Sequence, residues 1–263
     1  MTSVVDISWA TLALFFCTLF IPVMISRYYQ LRIEKELLIS VARMAIQLVL
    51  VGLYLDYLFK ISNPVINIIW LLVMVLIGAS SITNKARLPK SKLLGPATLG
   101  LILGGFPVIA IICLAVIRPT PLYNAQYLIP LAGMLLGNSL SGNIVALQNL
   151  FASFEHRKAE YEGAISLGAS PRYASVPFVR EAIQKSLAPS LASMSTMGLV
   201  TLPGMMTGQI LGGASPIIAI KYQLMIMVAI FVTLSISTTT TLSLAIKTCI
   251  NNNGRILARP HKK

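Results

Sequence analysis

Charged residues are scarce in this chain of 263 residues. They make up 11% of it, whereas hydrophobic residues make up 56% and the mean hydropathy is +0.79. A soluble domain needs a polar surface that such a composition cannot supply. The composition therefore predicts a polytopic membrane protein.

Side chains that carry catalysis or bind metals are scarce as well. Cys17, Cys113 and Cys249 are far apart in the sequence, which excludes a disulfide framework and a CxxC metal site. The only histidines are His156 and His261, and none of the acidic residues falls in the middle of an apolar run. These absences argue against a histidine metal cage, a membrane protease and a proton pump, and they favour a carrier or a channel.

A nucleotide site is missing too. The sequence contains no GxxxxGK[ST] phosphate loop. Its longest polar segment, about 40 residues, is too short to hold an ATPase domain. We therefore predict that this chain is not an enzyme and cannot bind and hydrolyse ATP by itself.

Long apolar runs dominate the sequence instead. Each run has about 20 residues, the length that a helix needs to cross about 30 Å of hydrocarbon. None alternates as a barrel strand does, so we predict an all-α membrane protein with about seven transmembrane helices. The predicted spans are 8–26, 37–59, 64–82, 93–117, 127–151, 189–211 and 222–246.

The cations are distributed unevenly between the two sides of the predicted membrane. Of the 21 Lys and Arg residues, only Lys60, Arg118 and Lys221 fall opposite the rest. Cytoplasmic loops carry an excess of Lys and Arg, so the N-terminus is predicted outside and the C-terminus in the cytoplasm. Topology and contact with anionic lipids account for the net charge of +13, and no nucleic-acid partner is expected.

A polar segment between the fifth and sixth predicted spans carries a turn signal. Its order E-x-A-x-x-L-G-A is followed by Ser170 and Pro171. Gly168 can end a helix in the left-handed conformation, Ser170 can cap the next helix, and Pro171 can occupy its first turn. The result is a helix, a sharp corner and a second helix. The second helix carries Tyr173, Val176 and Phe178, whose apolar faces suit a groove on a cytoplasmic partner. The alternative is a hairpin on the membrane surface.

This segment resembles the EAA-type loop of ABC transporter permeases, whose glycine turn forms a coupling helix that docks on the ATPase subunit. The sequences RMAIQLVLVG at 43–52, IPLAGMLLGNSLSG at 129–142 and MGLVTLPGMMTGQILGGASPIIAIKYQ at 197–223 are similar to the FetB (YbbM) family of iron-export permeases. That family also includes plant aluminium-tolerance relatives, and the resemblance covers nearly the whole chain. It assigns coupling to Glu162, Ala164, Leu167, Gly168, Ala169, Pro171 and Tyr173.

The resemblance implies one permease domain over 1–263, with a coupling segment at 152–188 and a basic cytoplasmic tail at 247–263. It implies a homodimer in the bacterial inner membrane, bound to two copies of a separately encoded, FetA-like ABC ATPase. The ATPase would bind ATP and Mg²⁺, and this chain would carry no cofactor. The implied function is export of iron or a related metal-stress solute. The alternatives are an ABC uptake permease and an ATP-independent channel or secondary carrier.

Polar side chains within the predicted spans are candidates for a substrate pathway, since such groups usually face the interior of a bundle. Arg43 and Gln47 lie four residues apart on one face of the second span. Asn138 lies among small residues in the fifth span, a pattern that permits close helix packing. Snorkelling of Arg43 to the headgroups and packing around Asn138 are the alternative interpretations.

The sixth predicted span contains Pro203 and Gly204, so we expect its helix to be kinked or broken. Broken helices expose backbone carbonyls, which makes 202–209 the first candidate for a gate or a substrate contact. Met205 and Met206 would favour a soft cation such as Cu(I), unless they only pack, whereas Gln209 offers an oxygen. No metal ligand can be assigned. With few buried carboxylates and histidines, iron would move hydrated or chelated, or through transient carbonyl and amide contacts.

Overall fold

The computed structural model describes residues 6–61, 63–251 and 254–257. These residues contain α-helices and two isolated β-bridges but no β-strand. The first helical rod consists of α1 (Trp9–Phe16), a 3₁₀ turn and α2 (Phe20–Tyr28). The remaining helices are α3 (Glu34–Ile61), α4 (Pro64–Lys85), α5 (Lys90–Ile111), which continues as a π-helical turn (Ile112–Ile117), α6 (Ala125–His156), α7 (Lys158–Ser166), α8 (Pro171–Thr196), α9 (Gly204–Leu211) and α10 (Pro216–Cys249).

Within the described ranges, six helices are long and apolar enough to cross a membrane, whereas the sequence predicted about seven. The six are the α1–α2 rod, α3, α4, α5 with its π turn, α6 and α10. The predicted span at 189–211 is not one helix, because α8 ends at Thr196 and α9 begins at Gly204. The sequence analysis expected a kink or break in this span, and the structure contains one.

The backbone explains why the helix stops there. Met197 is extended, and Gly198 has a φ of +85°, which L side chains rarely adopt. The Gly198 N–H donates to the Thr201 carbonyl at 2.9 Å and closes a turn. Pro203 has no N–H and restricts the residue before it, so the helix resumes only at Gly204.

The core of the fold is a bundle of α4, α5, α6 and α10. Its closest approach is between α5 and α10, where two glycines of α5 face the α10 backbone. A Cβ atom at Gly100 would lie 2.8 Å from the Ser237 carbonyl oxygen, and one at Gly104 would lie 2.7 Å from the Thr233 carbonyl oxygen. Small residues are therefore required here for the two helices to touch.

A buried polar contact joins α6 to α10 beside these glycines. Asn143 Nδ2 donates to Ser237 Oγ at 2.8 Å and to the Ser139 carbonyl at 2.8 Å. All three residues are fully buried. A hydrogen bond between helices in an apolar surrounding fixes their relative register, since a shift by one turn would leave the amide unpaired.

The first three helices are peripheral. The α1–α2 rod is 6% buried over its most apolar window, and α3 is 0% buried. Near its end, α3 contacts the bundle through Leu58, which packs with Ala125 and Ile129, and through the Tyr54 ring, which lies 4.4 Å from Trp70. Most of the apolar surface of these helices is therefore open to lipid or to another chain.

We expect Gly104→Ala to destabilise the bundle by about 1–3 kcal/mol, because the added methyl group would meet the α10 backbone. The matched control is Gly137→Ala in α6, where a Cβ atom meets nothing within 4 Å. The control should be as stable as the wild type or more so, since alanine favours a helix over glycine. Thermal unfolding of the two purified variants in detergent measures this difference. Equal melting temperatures would contradict the close packing of α5 on α10.

Candidate functional site

The first candidate site is the corner between α7 and α8, defined here as residues 167–173. Gly168 has a φ of +92°. Its N–H donates to the Ile165 carbonyl at 2.9 Å, and the Ala169 N–H donates to the Ala164 carbonyl at 3.0 Å. These two bonds form a Schellman motif, which satisfies the last carbonyls of α7. The glycine turn predicted from the sequence is therefore present.

The start of α8 also has the predicted geometry. Ser170 Oγ accepts a hydrogen bond from the Tyr173 N–H at 3.3 Å, and Pro171 occupies the first turn. The Leu167 and Tyr173 side chains are 91% and 74% exposed. Large apolar side chains with this exposure, on a well-formed turn, are available for a partner.

The remaining residues predicted for coupling lie in the corner or in α7 beside it. Ala164 and Ala169 pack against the main hydrophobic core. Glu162 is exposed and forms an ion pair with Lys158 at 3.3 Å, which adds little stability at the surface. The structure thus brings the predicted residues into one unit, with Leu167 and Tyr173 directed outward.

An aromatic cluster holds this unit against the end of α6. The rings of Phe154 and Phe178 are 4.8 Å apart, and the Tyr161 ring lies 5.1 Å from Phe154 and 6.1 Å from Phe178. All three side chains are almost fully buried. They come from α6, α7 and α8 and tie the corner to a core helix. The sequence analysis expected Phe178 to face a partner, but the structure buries it among the other two rings. The available signal for the cluster was three large aromatic residues in an otherwise polar segment.

Arg157 lies at the junction of α6 and α7 and forms ion pairs with residues of α7 and α8. Its guanidinium contacts Glu160 at 2.6 Å and Glu181 at 3.0 Å, and it lies 4.9 Å from the centre of the Phe178 ring. Lys185 also pairs with Glu181, at 2.7 Å. A network of four partly exposed charges contributes more to stability than isolated surface ion pairs do.

The hydrogen bonds in this network lower the pKa values of both carboxyl groups. The bond from Arg157 lowers the pKa of Glu160, and the bond from Lys185, followed by the charge and hydrogen bond of Arg157, lowers that of Glu181. A carboxyl whose pKa is lowered by folding stabilises the fold above its unfolded pKa. This contribution is lost as the pH falls through the folded value, so the network weakens only in acid.

The described part of the C-terminal tail also packs on the corner unit. Ile250 and Ile256 form a β-bridge, and both pack against the main core. Gly254, with a φ of +78°, lies so close to Ile165 of α7 that a Cβ atom would overlap it. The predicted tail at 247–263 thus begins as an ordered structure, while residues 252–253 and 258–263 lie outside the described residues.

The second candidate site is the interruption between α8 and α9, which we call the break (residues 197–203). Gln223 Nε2 of α10 lies 3.9 Å from Met197 Sδ, at hydrogen-bonding distance for sulfur. The other end of α8 lies beside Lys247, since Arg172 and Lys247 line one cavity. Between Lys247 and Gln223, α10 rises about 36 Å. α8 therefore runs antiparallel to α10. The length over which the two helices run side by side exceeds the thickness of a hydrocarbon core, which is roughly 30 Å.

Residues beyond the break differ in what they contact. Met205 packs against the outer core cluster that includes Ile226 and Ile230 of α10. Met206 is half-buried, Gly204 is exposed, and Pro203 caps α9. The Gln209 Oε1 atom is buried and has no hydrogen-bond partner in the described part of the chain. α9 therefore offers a buried amide oxygen at Gln209, whereas Met205 packs against α10.

Gln223, which sequence analysis did not select, has the same property as Gln209. Its side chain is 7% exposed, and its Oε1 atom has no partner among the described residues. An unpaired buried amide oxygen is costly, so each of these glutamines is a candidate to meet a ligand or a water. A glutamine among the apolar residues of the last predicted span was the available signal.

The other predicted pathway residues lie elsewhere. Arg43 and Gln47 are exposed on α3, far from its packed end at Leu58. Asn138 is exposed on α6 and donates to the Met134 carbonyl of its own helix at 2.8 Å. Within the described ranges, none of the three forms a hydrogen bond to the break, and no group of three His, Cys, Asp or Glu side chains could hold a metal ion.

A protein-family model described as Uncharacterised protein family (UPF0014) matches residues 9–250. The chain is 32% identical to "UPF0014 membrane protein YjkA" of Bacillus subtilis, over 83% of this chain and 86% of that protein. It is 34% identical to "Protein ALUMINUM SENSITIVE 3" of Arabidopsis thaliana, over 78% and 74% of the two chains.

A further relative is named for a function. The chain is 30% identical to "Probable iron export permease protein FetB" of Escherichia coli, over 84% of each chain. No solved structure matches the chain.

We expect Arg157→Gln to loosen the corner, because Arg157 is the charge shared by α7 and α8. The matched control is Lys158→Gln, which removes one cation from an exposed pair. Hydrogen–deuterium exchange of peptides covering 158–173 should rise several-fold in the Arg157 variant and stay near the wild-type rate in the control. Equal exchange in the two variants would show that the aromatic cluster alone holds the corner.

Proposed function

The chain belongs to the UPF0014 family of membrane proteins, and from this premise we propose that it is the membrane-spanning permease subunit of an ABC transporter. The family assignment confirms the resemblance read from the sequence. The observation that carries the proposal is the corner at Gly168. It presents exposed Leu167 and Tyr173 on a base fixed by buried aromatic residues and an ion-pair network. A transmitted force requires such a firm attachment to the bundle.

The corner would dock on a separately encoded ABC ATPase, FetA-like by resemblance. The chain contains no phosphate loop, so ATP and Mg²⁺ would bind to that partner. Movement of the ATPase would reach α6 and α8 through Phe154 and Phe178, which are in contact. From α8 it would reach the break at Met197, at the far end of the same helix.

The topology we propose has a seventh crossing formed by the part of α8 after residue 188, the break and α9. α8 and α9 both pack on α10, and α8 follows it for about 36 Å. With six further spans, an odd number of crossings places the two ends of the chain on opposite sides. This agrees with the positive-inside distribution, so we propose that the corner and the tail lie in the cytoplasm. The membrane we propose is the bacterial inner membrane.

A homodimer would complete the pathway. The second half of α8 carries exposed small hydroxyl side chains at Ser193, Ser195 and Thr196. Side chains of this kind are enriched where membrane helices pack together. Exposed polar residues at membrane depth favour a water-filled path or a second subunit. Two copies related by a twofold axis would bring these faces of α8 together and bind two ATPase subunits.

The substrate we propose is iron or a related metal-stress solute, moved outward. Support comes from the relative named as an iron export permease and from the relative named for aluminium sensitivity. Within the described residues no acidic or histidine cluster could strip a metal of its ligands. A hydrated or chelated ion, met by amide oxygens such as those of Gln209 and Gln223, fits this inventory.

We expect Gly168→Val to abolish coupling while the bundle stays folded, because a β-branched residue cannot adopt a φ of +92° without strain. The matched control is Gly163→Val in α7, where a Cβ atom also meets nothing within 4 Å and φ is helical. Each variant is coexpressed with the ABC ATPase that copurifies with the wild type, reconstituted in nanodiscs and assayed for transport-linked ATP hydrolysis. Normal coupling in Gly168→Val, or a wild type that retains no ATPase, would overturn the proposal.

We expect Gln209→Leu to reduce metal-stimulated ATP hydrolysis several-fold without lowering thermal stability. The reason is that its buried oxygen has no partner to lose in the described part of the chain. Met205→Leu is the control, since it replaces a packed thioether by a side chain of similar volume. Ferrous iron, a ferric citrate chelate and copper are each tested as stimulants. A change of metal preference in Met205→Leu alone would instead assign the contact to the thioether.

A further inference from the structure

A large cavity lies beside the corner, between the first half of α8 and the last turns of α10. Its volume is about 740 Å³, enough for a lipid headgroup and part of an acyl chain. The walls are aliphatic and include Val176, Val179 and Ile246. Three cationic side chains, Arg172, Arg180 and Lys247, also line it. Aliphatic walls with a cationic lining call for a ligand that is itself both apolar and anionic.

The three cations have no counter-ion in the described part of the chain. The nearby acid Glu181 is already shared by Arg157 and Lys185, and the cavity lining includes no acidic residue. Glu160 pairs with Arg157 as well. The cavity therefore collects positive charge that the protein does not neutralise, which attracts an anion.

We propose that this cavity binds one anionic phospholipid, whose phosphate contacts Arg172, Arg180 and Lys247 while an acyl chain lies against the aliphatic wall. In the proposed topology the last turns of α10 lie at the cytoplasmic membrane surface, and basic pockets between helices at that surface suit anionic lipids. A second copy of this chain is a poor occupant, since it carries the same surplus of positive charge. The position of the cavity at the cytoplasmic membrane surface rests on the proposed function, whereas its aliphatic and cationic lining does not.

The cavity also reaches the corner. Ser170 and Pro171, the cap and first residue of α8, belong to its lining. A lipid bound there would contact the first turn of α8 and the end of α10 together. It would thereby support the turn that begins two residues after Gly168.

The experiment counts lipids bound to the purified full chain in detergent by native mass spectrometry, with phosphatidylglycerol and phosphatidylcholine titrated separately. The test variant is Arg172→Gln/Arg180→Gln/Lys247→Gln. The matched control is Lys35→Gln/Arg87→Gln/Lys90→Gln, which removes three exposed cations outside the cavity. We expect the test variant to lose more than about tenfold in affinity for phosphatidylglycerol and the control to lose less than about twofold. Phosphatidylcholine should bind weakly to all three proteins.

Further measurements distinguish a bound phospholipid from a soluble anion and from the ATPase as the occupant of the cavity. Ser243→Phe narrows the cavity while leaving all three cations in place, and it should also weaken phosphatidylglycerol binding. Displacement of the lipid by millimolar inorganic phosphate would identify a site for a soluble anion and overturn the proposal. If the triple test variant binds lipid as the wild type does but no longer copurifies with the ATPase, the three cations bind the ATPase. That result would also overturn the lipid proposal. Lipid binding is measured without the ATPase, so it can fail or succeed independently of the transport proposal.

Discussion

The contact between α5 and α10 at Gly100 and Gly104 sets the geometry of the core bundle. Because the two backbones touch there, α10 is held along its length, and Asn143 can reach Ser237 to fix α6 beside it. Both candidate sites lie along these core helices. The corner packs on the end of α6, and the break lies against the N-terminal part of α10.

The two ends of α8 are held very differently. At its first turns, Phe178 is buried in the aromatic cluster and Glu181 is paired, so the helix is fixed to α6 and α7. Towards Thr196 the side chains are exposed, and the helix ends in a turn with few partners. The permease function that we propose requires this combination, since one end of α8 would receive a force and the other would change shape.

Local features of the sequence were good predictors where one or two residues decide a conformation. Gly168, Ser170 and Pro171 predicted the corner, and Pro203 with Gly204 predicted the break, because these residues restrict or release φ and hydrogen bonding by themselves. Positions relative to distant residues were not predicted from the sequence. Arg43 and Gln47 lie apart from the break, whereas Gln223 lies beside it and was not selected.

The sequence by itself determined which stretches prefer hydrocarbon, where helices start and stop, and that the corner needs a glycine. Each of these follows from the transfer energy of side chains or from the allowed backbone angles of single residues. Only the tertiary structure decided that Arg157 joins Glu160 to Glu181, that Phe154 meets Phe178, and that three cations share a cavity. These contacts join residues on separate helices, so they depend on the angle and register at which the helices pack.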